Sequence, residues 1–304
     1  DERAQLWPRT MTTLTTHDTK RSEDTRARML EIAEVPGEFD QLVEEVFALT
    51  PPPDTATGLF LLHNLLGAWP RDGRVTEDFT QRLQSYAVKA VREADMLSSW
   101  YDSDLAYEAQ VTEWIAHLTH GPATRMLAGF ALKLHSGGVA VSLGRKLLQL
   151  VGPGIPDIYQ GTEFFDFSLV DPDNRRFVDY AARSAAAGSP EDVAKQRVVR
   201  EALALRRERP QLFLDGGYAG VFAEGDARQH VVGMARTADD VPQVIALATR
   251  EPLALKRDGG WRGTVVTLPD GIWTDCFSGR KHFGRVPMAE LCAEPVSYTH
   301  LTLP

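Results

Sequence analysis

The spacing of the hydrophobic residues changes near Leu212, and this change constrains the fold more than any other feature. Between about residues 50 and 135 the apolar positions recur three or four apart, as they do in amphipathic helices. Beyond residue 211 they form short β-rich segments, such as residues 244–247 and 273–277, separated by Gly, Asp and Pro turns. The pattern predicts a helical block over residues 50–135 and a small antiparallel β domain over residues 211–295.

Two segments before residue 211 have the composition of strands that alternate with helices. Residues 10–16 (TMTTLTT) are rich in β-branched residues, and Ser22 is a suitable N-cap for a helix that Pro36 should end. A break at the glycines 137 and 138 predicts a separate helix running to about Leu150, followed by a strand over residues 155–160. This order indicates an α/β arrangement.

Composition narrows the classes of function. The net charge of -9 and the pI near 5.4 argue against nucleic-acid binding, which needs clustered Lys and Arg. Cys276 and Cys292 have no Cys or His partner at metal-ligand spacing, so we expect no metal site and a reducing compartment. We find no run of about 20 apolar residues and no signal segment, and therefore predict no membrane partner and a cytoplasmic location.

Both ends of the chain differ from the body. The chain opens without Met, in a polar run that passes directly into the strand at residues 10–16, so we expect an N-terminal portion to be missing. Residues 296–304 (VSYTHLTLP) continue no earlier pattern. We expect them to be a non-native tail without tertiary contacts.

The segment most informative about chemistry follows the first strand. In a barrel of alternating strands and helices, residues at the C-terminal end of a strand face the site of reaction, and His17 and Asp18 hold that position. Asp18 could instead only cap a turn. Lys20 and Arg21 precede a helix N-terminus, where the dipole disfavours positive charge, so carboxylates or sugar hydroxyls should hold them.

Four motifs in order resemble those of maltooligosyl trehalose synthases, a group within the α-amylase family. They are HDTKRSEDTRAR at residues 17–28, KAVREA at residues 89–94 with Ser99 and Trp100, GIPDIYQGTE at residues 154–163 and DFSLVDPDNRR at residues 166–176. The resemblance implies that residues 1–210 are the C-terminal part of a (β/α)8 barrel. It would contain strands seven and eight and a helical insertion at residues 50–135.

The resemblance also implies site residues and an activity. Asp18 would be the carboxylate that stabilises the transition state. The residues implied in substrate binding are His17, Lys20, Arg21, Asp171, Asp173, Asn174 and Arg175. The family's reaction turns the reducing-end α-1,4 bond of a maltooligosaccharide into an α,α-1,1 bond, with no metal or organic cofactor. The family's nucleophile and acid/base lie before strand seven, outside this sequence, so we expect the chain alone to be inactive.

Alternatives remain at this stage. Residues 171–174 also have the composition of an ordinary turn. The enzyme could be a hydrolytic member of the same family, in which water captures the glycosyl intermediate. The chain could also act only as a carbohydrate-binding module, and its oligomeric state is left open.

Overall fold

A computed structural model describes residues 2–292 and 298–303, although not the side chains of residues 3, 4 and 298–300. The helices are α1 Glu2–Leu6, α2 Glu23–Leu30, α3 Pro36–Leu49, α4 Thr55–Ala68, α5 Glu77–Ala94, α6 Leu105–His120, α7 Thr124–Val151, α8 Tyr180–Ser184, α9 Pro190–Glu208, α10 Pro210–Leu214, α11 Pro252–Arg257 and α12 Met288–Leu291. The strands are β1 Met11–Thr12, β2 Ile155–Pro156, β3 Gly217–Val221, β4 Ala223–Glu224, β5 Val231–Ala238, β6 Val241–Thr249, β7 Val265–Thr267, β8 Trp273–Asp275, β9 Lys281–His282, β10 Arg285–Pro287 and β11 Tyr298–Thr302.

The chain divides into two compact units. The helical unit comprises His17–Gly138 and Asp166–Phe177. The sheet unit comprises Asp1–Thr16, Val139–Phe165 and Val178–Pro304. The domain boundaries predicted from sequence, at residues 210 and 295, stay predictions.

The helical unit begins with the helix expected after the first strand. Ser22 caps α2 and accepts a hydrogen bond from the backbone N–H of Thr25, as its sequence position predicts. A 3-10 turn, Glu31–Glu34, follows α2 directly. The helix that begins after Ser22 therefore ends before Pro36, as we expected. Pro36 opens the next helix, α3, in whose first turn its missing N–H costs no hydrogen bond.

The predicted amphipathic helices are confirmed as α5 and α6. Thr76 caps α5, and the helix buries Phe79, Leu83 and Val91 on its apolar face. Asp104 caps α6, whose Trp114 donates its indole N–H to Thr50 O at 2.9 Å. In both helices, an N-cap side chain therefore begins the helix, and the buried apolar face is where the sequence pattern predicts it.

The prediction of two helices on either side of residues 137 and 138 is wrong, because α7 runs through both glycines. A Cβ on Gly138 would lie 2.9 Å from Arg28 Cα, so close packing against α2 requires a glycine at that position.

The helix α7 is also long and apolar enough to cross a membrane, although the sequence analysis predicted no membrane partner. Of its most apolar 18-residue stretch, 44% is buried inside the protein. One helix of this length and composition is weak evidence for a membrane span, since buried core helices can have both properties.

Two short segments of the sheet unit pair in parallel. β1 and β2 align Met11 with Ile155 and Thr12 with Pro156. Both strands are shorter than the sequence predicts. After Thr12, the Thr13 hydroxyl donates to Thr15 O at 2.7 Å, and such local bonds compete with a strand ladder.

The remaining described strands form two antiparallel sheets. Their orders are β3-β5-β6-β11-β8-β9 and β10-β7-β4. Both sheets contribute fully buried side chains to one core, including Leu247 from β6, Val266 from β7 and Trp273 from β8. The antiparallel sheets expected in this part of the sequence are therefore present.

The expectation that residues 296–304 make no tertiary contacts is wrong for the described residues 298–303. β11 pairs with β6 from Tyr298 opposite Ala248 to Thr302 opposite Val244, and it also pairs with β8. Leu301 is completely buried in the core between the sheets. The segment was misjudged because strand pairing depends on distant partners, which a break in local pattern does not report.

Candidate functional site

The candidate site forms where the start of α2 meets residues 166–177. Ser22 N and the Thr25 hydroxyl both donate to Ser168 O at 3.0 Å, and Asp166 N donates to the Asp24 carboxylate at 2.7 Å. Residues separated by about 140 positions are thereby fixed side by side. All eight residues expected at the site lie in this one unit.

His17 and Asp18 occupy the loop before α2. The Asp18 side chain is 82% exposed, and one of its oxygens lies 3.8 Å from His17 Nε2. Asn174 donates its side-chain amide to His17 O at 3.0 Å, so a residue of the distant segment holds the backbone of this loop. The arrangement fixes the backbone and leaves the Asp18 carboxylate accessible to a ligand.

Lys20 has a carboxylate partner, as its position predicts, whereas Arg21 contacts an amide carbonyl and an aromatic ring. Lys20 Nζ lies 2.7 Å from a carboxylate oxygen of Glu93. Arg21 donates to the side-chain carbonyl of Asn64, and its guanidinium lies 5.3 Å from the centre of the Phe60 ring. These contacts offset the unfavourable placement of two cations ahead of a helix N-terminus.

A cavity of about 520 Å³ adjoins these two cations. Its walls combine one ion pair with aromatic and small apolar side chains, a mixture suited to a ligand with both hydroxyl groups and apolar faces. Burial raises the pKa of Tyr86 to about 12, so its phenol stays neutral. The lining residues are Lys20, Arg21, Phe60, Tyr86, Ala90, Glu93, Ala94 and Val170.

Asp171 and Arg175 form the exposed part of the second segment. Arg175 pairs with the Asp171 carboxylate, and Lys89 donates to Asp171 O at 2.8 Å. The two side chains are 32% and 55% exposed, so they remain within reach of a ligand.

Asp173 and Asn174, by contrast, are buried. The Asp173 carboxylate accepts two hydrogen bonds from Arg82, at 2.6 and 3.0 Å, and one from Leu169 N at 2.8 Å. Burial alone would raise the pKa of Asp173, but the hydrogen bonds and charge of Arg82, together with the charge of Arg176, hold it below its usual value. The Asp173 carboxylate is therefore ionised and bonded within the unit, and the substrate contact that we expected of it stays a prediction.

The sequence reading missed the contribution of α5. Arg82, Lys89 and Glu93 contact Asp173, Asp171 and Lys20 respectively. Their spacing of i, i+7 and i+11 places them on one stripe of the helix, and charge at that spacing was the available signal. Among the described residues, no cluster of three or more His, Cys, Asp or Glu side chains could hold a metal ion.

Comparison with known proteins extends this picture. No family model matches the chain. A maltooligosyl trehalose synthase of Mycobacterium tuberculosis is 44% identical over 292 residues, which are 96% of this chain and 37% of that protein. The solved maltooligosyltrehalose synthase of Arthrobacter ramosus superposes with a TM-score of 0.89 at 41% identity, over 99% of this chain and 39% of that one. Another solved maltooligosyl trehalose synthase gives 0.79 at 26% identity, over 96% and 39% of the two chains.

The solved structures on which the chain superposes are α-amylase-type enzymes. The chain spans about 37% of the length of the curated relatives it matches. Within that class it belongs to the maltooligosyl trehalose synthase family.

Proposed function

We propose that this chain is the C-terminal part of an enzyme that converts the reducing-end α-1,4 bond of maltooligosaccharides into an α,α-1,1 bond, a step of trehalose biosynthesis. The identity to the Mycobacterium protein over almost the whole chain supports this family of reaction. The observation that carries the proposal is the accessible Asp18 carboxylate, two residues before a lysine that lines the cavity of about 520 Å³.

We further propose that β1 and β2 are neighbouring strands, the seventh and eighth, of a barrel completed by residues outside this chain. Their parallel pairing supports this assignment, because neighbouring strands of a (β/α)8 barrel are parallel. His17 and Asp18 follow β1 in sequence, as catalytic residues follow the strands of such barrels.

In a retaining mechanism one carboxylate attacks the anomeric carbon while another protonates the leaving oxygen. Asp18 takes neither role here. Its accessible oxygens would accept hydrogen bonds from hydroxyl groups of the reacting sugar and stabilise the positive charge that develops on the ring. The adjacent His17 side chain, 55% exposed, would bond to the same sugar.

Isomerisation requires that the released glucose stay bound and that its anomeric hydroxyl capture the intermediate before water does. The cavity beside Lys20 suits this task because its aromatic walls can pack against a sugar face. Lys20, Arg21 and Glu93 would supply partners for hydroxyl groups there. Asp171 and Arg175 would contact the substrate from the second segment, whereas Asp173 and Asn174 would fix that segment.

The products formed from maltopentaose by the full-length enzyme test this proposal. A non-reducing product that ends in trehalose is expected, with loss of reducing ends. New reducing ends would instead identify the hydrolytic alternative, since water would then have captured the intermediate. Binding without turnover would leave only a carbohydrate-binding role.

Replacement of Asp18 tests the site itself. In the full-length enzyme, Asp18→Asn should lower kcat by about 10²–10³-fold, the loss typical when one preorganised electrostatic group is removed from an active site. Asp40→Asn is the matched control, because it neutralises an exposed carboxylate on α3 in the same unit. Activity of the Asp18 variant within tenfold of the wild type would contradict the assignment.

A further inference from the structure

One stripe of α5 carries charges that match the segments forming the candidate site. Arg82 and Lys89 face Asp173 and Asp171, whereas Glu93 faces Lys20. The contact from Arg82 is the best defined of the three. Its Nε and Nη2 donate to the two oxygens of Asp173 at 2.6 and 3.0 Å, and paired bonds of this kind fix orientation as well as distance.

The environment of Asp173 makes this pair rigid. The Asp173 side chain is only 6% exposed, and its second oxygen also accepts from Leu169 N at 2.8 Å. Arg176 Nε lies 3.1 Å from the first oxygen. Both carboxylate oxygens are therefore used within the unit, and a shift of residue 173 would weaken several hydrogen bonds to an ionised group.

Asn174, the residue after Asp173, connects this segment to the loop that carries His17 and Asp18. Asn174 donates to His17 O at 3.0 Å, and Asp18 follows His17 directly. A displacement of residue 173 would therefore displace the donor that holds the backbone of residue 17. Three steps, from Arg82 to Asp173, to Asn174 and to His17, join α5 to the loop that carries Asp18.

We propose that Arg82 is a positioning residue for catalysis, which orients the Asp18 loop through Asp173 and Asn174 without touching substrate. This inference rests on the proposed function, because it concerns how Asp18 is aligned. Its consequence is specific. Misalignment of a group that stabilises the transition state lowers kcat, whereas loss of uniform substrate binding would raise KM.

The same helix offers a matched control. Arg92 also makes two hydrogen bonds to one carboxylate, with Glu108 oxygens at 2.7 Å from Nε and from Nη2. The Glu108 side chain is 7% exposed, close to the value for Asp173. Glu108 lies on α6, however, and its other bond comes from Ser98 in the preceding loop. The two pairs are alike in geometry and differ in whether the partner belongs to the site.

The experiment compares Arg82→Lys and Arg92→Lys in the full-length enzyme with maltopentaose as substrate. Lysine keeps the charge but cannot form the paired bonds, so each variant removes orientation rather than attraction. Arg82→Lys should lower kcat by about 10–100-fold with little change in KM, as expected for a small misplacement of a catalytic group. Arg92→Lys should leave kcat unchanged, while the thermal midpoint falls by a similar amount in both variants.

A second variant covers the possibility that Arg82→Lys fails to fold. Asn174→Ala removes the last link to His17 but leaves the pair between Arg82 and Asp173 intact, and it should lower kcat in the same way. Equal kcat losses in the Arg82 and Arg92 variants, or a lower thermal midpoint with unchanged kcat in both the Arg82 and Asn174 variants, would overturn the inference. Failure of the wild-type enzyme to form a trehalose-ended product would instead overturn the proposed function.

Discussion

Glu31 provides a prediction whose size and sign both follow from its surroundings. The residue begins the 3-10 turn after α2 and is 1% exposed. Burial, then the neighbouring charge of Glu34 and a hydrogen bond with it, raise the pKa of Glu31 from 4.5 to about 9. The folded protein therefore keeps this carboxyl protonated at neutral pH, whereas the unfolded chain ionises it.

The contribution of Glu31 to the free energy of unfolding depends on pH. Because the folded pKa is raised, folding is not penalised below about pH 4.5, and stability is lost as the pH rises towards 9. Each pH unit in that window costs about 1.4 kcal/mol, so the penalty near pH 7 is on the order of 3 kcal/mol. Glu31→Gln retains the shape of the protonated acid and has no proton to lose.

We therefore expect Glu31→Gln to match the wild type in stability at about pH 4.5 and to exceed it increasingly as the pH rises. Urea unfolding of the two proteins at several pH values up to about 8.5 measures the difference in unfolding free energy. Glu44→Gln on α3 is the control, because Glu44 is exposed and the change should have little effect at any pH. A stability difference that stays constant with pH, or a wild type that is not the more pH-sensitive protein, would refute the reasoning.

Three further predictions test the packing and the chemistry. Leu301→Ala should lower the unfolding free energy by about 2–5 kcal/mol, because the side chain is fully buried. The control Ile272→Ala, at a half-exposed site, should lower it much less, and equal effects would place β11 outside the core. Gly138→Ala should destabilise the folded protein by about 1–3 kcal/mol, because the new Cβ would meet Arg28. On the same helix, a Cβ at Gly129 would have no neighbour within 4 Å, so Gly129→Ala should stabilise the protein by about 0.5–1 kcal/mol in thermal unfolding. The purified chain alone should form no trehalose-ended product from maltopentaose, since double displacement needs a nucleophile and an acid; loss of reducing ends relative to a protein-free control would show that both lie within these residues.

Local sequence determined the elements whose signals are complete within one stretch of chain. The cap at Ser22, the buried stripes of α5 and α6, and the β-rich runs that became β6 and β8 all follow from residues a few positions apart. The motif at residues 17–28 likewise indicated a family that the comparisons bear out. Capping and amphipathic spacing act over one or two turns, so the sequence is sufficient to predict them.

Tertiary structure decided the features that depend on distant partners. Gly138 does not interrupt α7, and its missing Cβ is what lets α2 pack closely against the helix at that position. The Asp173 carboxylate is buried and ionised because Arg82, 91 positions away, donates to both of its oxygens. β11 forms because it pairs with β6 and β8, two strands that lie earlier in the chain. In each case the stabilising free energy comes from contacts between segments far apart in sequence. Local sequence patterns do not indicate which distant segments will be in contact.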